Sequence, residues 1–242
     1  MYESRFYRNQ MLAKNLCSFE VKVKETDLFI CAERDLKDIA YELVLLYRSQ
    51  LENFISSYPV FLKTFVPIEV PANAPDIVKS MANAAHIAGV GPMAAVAGAI
   101  SEYVGRGLLE YSDEVIVENG GDIFINTSAE RKIGIYAGKS PLSNKIAISI
   151  RPEDMPLGVC TSSGTVGHSV SFGKADAVVI ISKDTSLADA VATKIGNLVH
   201  TKDDIRQAIA HAQDIPGVEG AIIIVEDGLG GWGRFEFSPS FA

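Results

Sequence analysis

The spacing of apolar and polar residues changes from a period of two to a helical period early in the chain. Residues 18–25 and 27–33 (SFEVKVKE and DLFICAE) alternate apolar and polar side chains, which predicts a β-hairpin. From Asp35 to Ser57 the apolar residues recur at helical spacing, and Pro59 follows directly. The pattern therefore predicts a hairpin followed by a long helix.

Two further helices are predicted in the middle of the chain. The sequence Ala74-Pro75-Asp76 is a favoured helix start, because proline is preferred near the first turn. This helix reaches a break at residues 89–92 (GVGP), and residues 93–111 after the break are rich in alanine and glycine. Such small side chains permit the close approach of a neighbouring backbone.

The second half of the chain is dominated by short β-rich segments separated by Gly, Asn, Ser and Pro. They predict a mostly antiparallel sheet with short connections. The segments are residues 113–119, 121–127, 131–137, 145–151, 168–173 and 175–182.

A helix at residues 186–201, beginning near a cap at Ser186, follows this run of strands. A helix at 205–213 capped by Asp203 comes next, and a strand at 220–227 closes the pattern. Hairpin, helices, strands, helices and strand in that order predict an α+β fold, and we expect residues 1–242 to form a single domain.

Composition and charge narrow the class of protein. The 48% of hydrophobic residues and 21% of charged residues are typical of a globular protein with a substantial core. The formal net charge of −8 argues against nucleic acid or an anionic membrane surface as a partner. The apolar segment 87–100 is shorter than the about 20 residues that span a bilayer.

The cysteines and the beginning of the chain indicate the compartment. The chain has an odd number of cysteines, and no two of them have CxxC spacing: Cys17, Cys31 and Cys160. Neither a disulfide scaffold nor a zinc site is therefore expected. The first residues are polar and charged, without the apolar core of an export signal. We therefore expect a cytoplasmic protein.

The first candidate site is Asn119-Gly120-Gly121-Asp122, between two apolar strands. Asn-Gly and Gly-Gly pairs are typical of tight hairpin turns, and a turn alone would explain them. Glycines also let a planar ligand approach the backbone, where Asp122 could accept hydrogen bonds from it. Both interpretations stay open on spacing alone.

The second candidate site is Asp189 and Thr193, four residues apart in a predicted helix. This spacing puts a carboxylate and a hydroxyl on one helix face. Both are hard oxygen ligands of the kind that Mg²⁺ prefers when it also bridges a phosphate. The alternative is an exposed aspartate near a helix start, where it complements the helix dipole.

The third candidate site is residues 158–168, GVCTSSGTVGH, which is either a polar surface loop or the wall of a ligand site. Backbone N–H groups of such a loop can bind an anion, and His168 could act as an acid or base near neutral pH. Cys160 would be a nucleophile only if its surroundings lowered its pKa. Otherwise Cys160 is a small buried hydrophobe.

The order of these motifs resembles the ApbE superfamily, the flavin transferases. In that family a GGD element contacts the flavin, a T-S-G element and a histidine follow, and an A-D-A-x-[AS]-T helix supplies metal ligands. The resemblance covers roughly residues 86–200. It implies an antiparallel sheet backed by paired helices, a T-fold-like architecture that agrees with the α+β pattern.

The resemblance also implies cofactors, partners and roles for individual residues. It implies FAD and Mg²⁺ and an acceptor protein for a transferred flavin. A homo-oligomer is one arrangement of the chain that stays open apart from the resemblance. Catalysis would fall to His168, and metal binding to Asp189 and Thr193; Cys160 is the candidate catalytic residue of a sulfur-handling alternative. The implied cofactor-binding residues are Gly120, Gly121, Asp122, Thr161, Ser162, Ser163 and Gly164.

Three departures from the family pattern lead to alternatives. His168 runs directly into SVSFGKADAVVII instead of a D-P-x-T-G loop, TSSG has an extra serine, and Glu118 stands where the family has asparagine. One alternative is a ligand-binding protein without catalysis. Another makes Cys160 a persulfide carrier, since part of the short cytoplasmic branch of the superfamily is linked to sulfur-amino-acid synthesis in anaerobes.

Overall fold

The computed structural model describes residues 15–165 and 173–239, which form two antiparallel sheets and a helical layer. The larger sheet has eight strands in the order β1-β2-β3-β4-β7-β8-β9-β10, and the smaller has three in the order β11-β6-β5. The strands are β1 Cys17–Val23, β2 Thr26–Ala32, β3 Val115–Asn119, β4 Asp122–Asn126, β5 Arg131–Gly134, β6 Ile146–Ile150, β7 Leu157–Ser162, β8 Ala177–Ser182, β9 Val218–Val225, β10 Gly228–Gly233 and β11 Glu236–Pro239.

The helices lie on one face of the larger sheet, where α4 and α5 both contact strands β4 and β7. They are α1 Lys37–Ser57, α2 Val60–Lys63, α3 Asp76–Ala88, α4 Val96–Leu108, α5 Thr185–Leu198 and α6 Ile205–Gln213. A 3₁₀ turn at Pro92–Ala95 leads directly into α4. The predicted α+β class with an antiparallel sheet backed by helices is therefore confirmed.

Alternation along the central strands divides the interior into two cores. On β8, Val178 and Ile180 point to the helices, whereas Val179 and Ile181 point to the smaller sheet. The strand period of two explains this division, because successive side chains point to opposite faces. The larger sheet is thus buried on both faces along its central strands.

Several boundaries differ from the sequence-based expectation. Leu157–Ser162 is strand β7, although a loop was expected from residue 158. Its alternation had been masked by Gly158 and by the small polar residues that follow. The N-cap of α5 is Asp184 rather than Ser186, because the Asp184 carboxylate accepts a hydrogen bond from Leu187 N at 2.9 Å. Most of the predicted strand at 168–173 lies outside the described residues.

The apolar segment around the break before α4 has the expected bent form. In the described part of the chain no single helix is long and apolar enough to cross a membrane. Two helical segments would be long and apolar enough only if they were taken together. They are Asp76–Ala88 and Pro92–Leu108, and the bend between them is 107°.

Candidate functional site

The GGD motif is a two-residue hairpin turn at the end of β3 and β4. Gly120 and Gly121 have φ values of 69° and 107°, which is the left-handed conformation that this turn requires at both positions. Gly121 N donates to Glu118 Oε1 at 2.8 Å, which fixes the turn from within. The hairpin interpretation is confirmed, and the turn places Asp122 at the first position of β4.

Asp122 is buried on the helix side of the sheet. Its Oδ1 accepts a hydrogen bond from Thr161 N on the neighbouring strand β7 at 3.1 Å. Burial raises the pKa of Asp122 well above its usual range, and repulsion from Asp189 raises the pKa further. A buried carboxylate with a raised pKa is a group that a cation or a proton-donating ligand would stabilise.

Asp189 reaches the same place from α5. Its Oδ2 accepts a hydrogen bond from Gly98 N near the start of α4 at 2.8 Å. Burial raises the pKa of Asp189 to about 7, although hydrogen bonds from Gly98 and Ala97 oppose the rise. The structure therefore brings Asp122 and Asp189, which are far apart in the sequence, into one acidic site.

The donor set fits a hard divalent cation better than a soft one. Thr193 lies one turn after Asp189 on the same face of α5, as predicted from their spacing. Within residues 15–165 and 173–239, no group of three or more His, Cys, Asp and Glu side chains is placed to hold a metal. Mg²⁺ commonly uses one or two carboxylates and completes its shell with water and phosphate oxygens. Asp189 and Thr193 offer one carboxylate and one hydroxyl, which match that requirement.

Two residues of this region were missed by the sequence analysis. Glu102 on α4 is buried, and its Oε2 accepts a hydrogen bond from Thr185 N, at the first residue of α5, at 2.7 Å. The Thr185 hydroxyl is buried without a hydrogen-bond partner. The signal in the sequence was a single acidic residue, four positions after Gly98, in a helix whose only other charged residue is Arg106.

Cys160 is fully buried against the first turn of α5. Its Sγ donates to Thr185 O at 3.4 Å, and Asp122 lies near the thiol. Burial raises the pKa of the Cys160 thiol well above its usual range, and the nearby carboxylates raise it further. This shift is opposite to the one that a thiolate nucleophile needs.

The hydroxyl-rich segment after Cys160 is divided between strand and loop. Thr161 and Ser162 belong to β7, and Ser163 and Gly164 follow it. The amide of Thr161 donates to Asp122, and the amide of Gly164 donates to Ala175 O at 2.9 Å. A phosphate in this region would therefore contact side chains rather than these two amides. His168, the predicted catalytic histidine, lies outside the described residues.

Sequence comparisons give this chain close relatives. A family model described as "AbpE bacteria" matches residues 8–228. The chain is 43% identical over 221 residues to a protein named "UPF0280 protein" from Methanococcus aeolicus, which covers 89% of each chain. It is 41% identical over 217 residues to a protein of the same name from Methanocella arvoryzae, covering 88% of this chain and 87% of the relative.

Solved structures share the fold at low sequence identity. The flavin transferase ApbE from Vibrio cholerae superposes with a TM-score of 0.59 at 11% identity, covering 93% of this chain and 97% of that chain. The flavinyl transferase ApbE from Pseudomonas stutzeri superposes with a TM-score of 0.55 at 13% identity, covering 93% and 94%. At such identities the likeness shows the fold.

Proposed function

Because the chain belongs to the family described as "AbpE bacteria" and has the fold of the ApbE flavin transferases, we propose that it is a flavin transferase. In this proposal it binds FAD with Mg²⁺ and transfers the FMN part to a hydroxyl group of an acceptor protein. The observation that carries the proposal is the acidic site, in which the buried Asp122 of the GGD turn and the partly buried Asp189 of α5 repel each other.

The residues of the site have separate tasks in this reaction. Asp189 and Thr193 would hold Mg²⁺, which neutralises negative charge on the FAD pyrophosphate when it is bound. Asp122, at the glycine turn, would accept hydrogen bonds from the flavin. The cofactor-binding roles of Thr161, Ser162, Ser163 and Gly164 remain predictions.

The proposed transfer needs only FAD and the acceptor protein as reactants. The acceptor hydroxyl oxygen forms a bond to the phosphorus of the FMN part, and the bond from that phosphorus to AMP breaks. AMP leaves, and the hydroxyl proton passes to a base, for which His168 is our candidate. A persulfide on Cys160 is not favoured, because the thiol is buried and its pKa is raised.

The first test is a titration of FAD into the protein with and without Mg²⁺. We expect Mg²⁺-dependent binding, and we expect Asp189→Ala to weaken it by more than about 100-fold, the upper end of the loss for an outer-shell partner of a metal. Asp38→Ala, an exposed aspartate in the first turn of α1, is the matched control and should bind like the unmodified chain.

The outcomes separate transfer from binding alone. Release of AMP when FAD is mixed with an acceptor supports the transferase. Mg²⁺-dependent binding of FAD without release of AMP, tested against a panel of hydroxyl-bearing acceptor peptides, would favour a ligand-binding protein without catalysis. Unchanged metal dependence in Asp189→Ala would show that the metal assignment is wrong.

A further inference from the structure

Helices α4 and α5 are joined by two reciprocal hydrogen bonds, one helical turn apart. Gly98 N donates to Asp189 Oδ2 at 2.8 Å, and Thr185 N donates to Glu102 Oε2 at 2.7 Å. Gly98 and Glu102 are four residues apart on α4, and Thr185 and Asp189 are four apart on α5, so both bonds lie along one seam. Each helix contributes one amide and one carboxylate.

Helices α4 and α5 cannot slide far past each other along this seam, because their backbones are in contact. A Cβ atom at Gly98 would lie 2.4 Å from Thr185 O and 2.7 Å from the Asp189 Cβ. Such a separation is too short for a side chain, so only glycine fits at this position of α4. Asp189 is therefore held against α4 by contact as well as by its hydrogen bond.

Thr185 is fixed from three directions at the start of α5. Glu102 accepts from its N–H, which as an amide of the first turn has no partner within the helix. Cys160 donates to its carbonyl oxygen at 3.4 Å, and a Cβ at Gly158 would lie 2.6 Å from its Cα. The first turn of α5 is thus anchored to both α4 and β7.

Burial of the Glu102 carboxylate is unfavourable unless the carboxylate makes hydrogen bonds or an ion pair. It is only 7% exposed, and its Oε1 forms an ion pair with Arg106 Nη2 at 2.7 Å. The Arg106 side chain is 51% exposed, and an ion pair with an exposed partner contributes little to stability. Where a buried charge is retained in a protein, its best-attested use is to fix register. An apolar side chain at this position would pack, but it would not bind the Thr185 amide.

We propose that Glu102 is a positioning residue of the metal site. By holding Thr185, it sets the register of α5 against α4 and keeps Asp189 and Thr193 where they bind a divalent cation. This inference rests on the proposed function, since it assigns Glu102 to the same site. This role requires the acceptor oxygen of Glu102, which a glutamine would retain.

The test measures the affinity of the purified chain and of three variants for Mn²⁺. Binding is detected through the electron paramagnetic resonance signal of Mn²⁺. Glu102→Ala removes the acceptor oxygen and should weaken Mn²⁺ binding by about 10- to 100-fold, as loss of an outer-shell partner does. Glu102→Gln keeps an acceptor for Thr185 N and should bind close to the unmodified chain. Glu52→Gln removes an exposed glutamate paired with Arg48 on α1 and is the matched control.

Amide hydrogen exchange supplies a readout that does not depend on the metal. We expect faster exchange at Thr185 in Glu102→Ala and unchanged exchange in Glu102→Gln. If Glu102→Ala does not fold, Glu102→Asp replaces it, because its carboxylate is one methylene shorter and withdraws from Thr185 N. Glu102→Asp should then show both weaker Mn²⁺ binding and faster exchange.

The results distinguish this inference from the proposed function. A folded Glu102→Ala variant with full Mn²⁺ affinity would overturn the positioning role and leave the metal site intact. Equal losses in Glu102→Ala and Glu102→Gln would show that charge, not the acceptor for Thr185, is what matters, and would overturn it too. Absence of Mn²⁺ binding by the unmodified chain would refute the metal site and the inference together.

Discussion

The two sides of the eight-stranded sheet are both buried, but they are built from different residues. Between the two sheets the core is dominated by isoleucine: Ile123, Ile125, Ile135, Ile148, Ile150, Ile181, Ile222 and Ile224. On the helix side alanine and glycine predominate near α4 and α5, and the carboxylates of Asp122 and Glu102 are buried there.

Side-chain size explains why the acidic site of Asp122 and Asp189 lies on the helix side. Packed sheets stay about 10 Å apart, and branched side chains fill that space with apolar contacts. Small residues instead let backbones meet, as at Gly98, where a Cβ would lie 2.4 Å from Thr185 O. Backbone amides then reach carboxylates such as Asp189. Polar sites of this type therefore depend on glycine as much as on the acids.

The largest effect on stability is expected in the isoleucine core. Ile148 is fully buried between the two sheets, and Ile148→Ala should lower the free energy of unfolding by about 2–5 kcal/mol. Since this residue lies on the face away from the acidic site, the affinity for Mn²⁺ should not change. Urea unfolding combined with Mn²⁺ titration measures both quantities.

Gly98→Ala is the counterpart of this substitution on the helix side. Its Cβ would overlap Thr185 O, and the overpacking should cost about 1–3 kcal/mol. Here Mn²⁺ affinity should fall as well, because α5 must move away from α4. Loss of Mn²⁺ binding in Ile148→Ala, or its retention in Gly98→Ala, would contradict the division between the two sides.

A pH-dependent effect is expected from Asp189→Asn. Burial raises the pKa of Asp189 to about 7 in the folded chain, whereas an unfolded aspartate titrates near pH 4. Between these values the folded state binds more protons, so this carboxyl makes the free energy of unfolding fall as pH rises. Without metal, Asp189→Asn should therefore be more stable than the unmodified chain at about pH 8.

This stability advantage should shrink as the pH falls below about 7 and disappear below about 4, where the carboxyl is protonated in both states. Adding Mg²⁺ at high pH should stabilise the unmodified chain and leave Asp189→Asn unchanged. Thermal unfolding across the pH range provides the measurement. An Asp189→Asn variant that is no more stable at high pH would show that the carboxylate carries no burial cost.

The smallest effect is expected for chemical labelling of Cys160. Because the thiol is buried and its pKa is raised, iodoacetamide should modify it more slowly than a free cysteine at neutral pH. Cys17 is exposed and should react first, which makes it the internal control. Mass spectrometry of the digested protein locates the label. Rapid modification of Cys160 in the folded chain would revive the persulfide hypothesis.

The sequence predicted the elements with a strong period and the motifs with a fixed spacing. The hairpin at β1 and β2, the α+β class and the shared helix face of Asp189 and Thr193 are examples. Strand β7 was hidden, because Gly158 and small polar residues obscured its alternation. The contact between Glu102 and Thr185 N joins residues far apart in the chain, and a single sequence carries no local signal for such pairs.

The connection between β4 and β7 offers a place to attach the protein to a surface. The chain leaves the larger sheet after β4 and returns at β7, and these strands pair directly through Ile123 with Val159 and Ile125 with Leu157. The excursion between them forms β5 and β6 on the face away from the helices. A dye or a surface tether at the exposed Lys139 would therefore leave the helix face open, so that binding can be followed on immobilised protein.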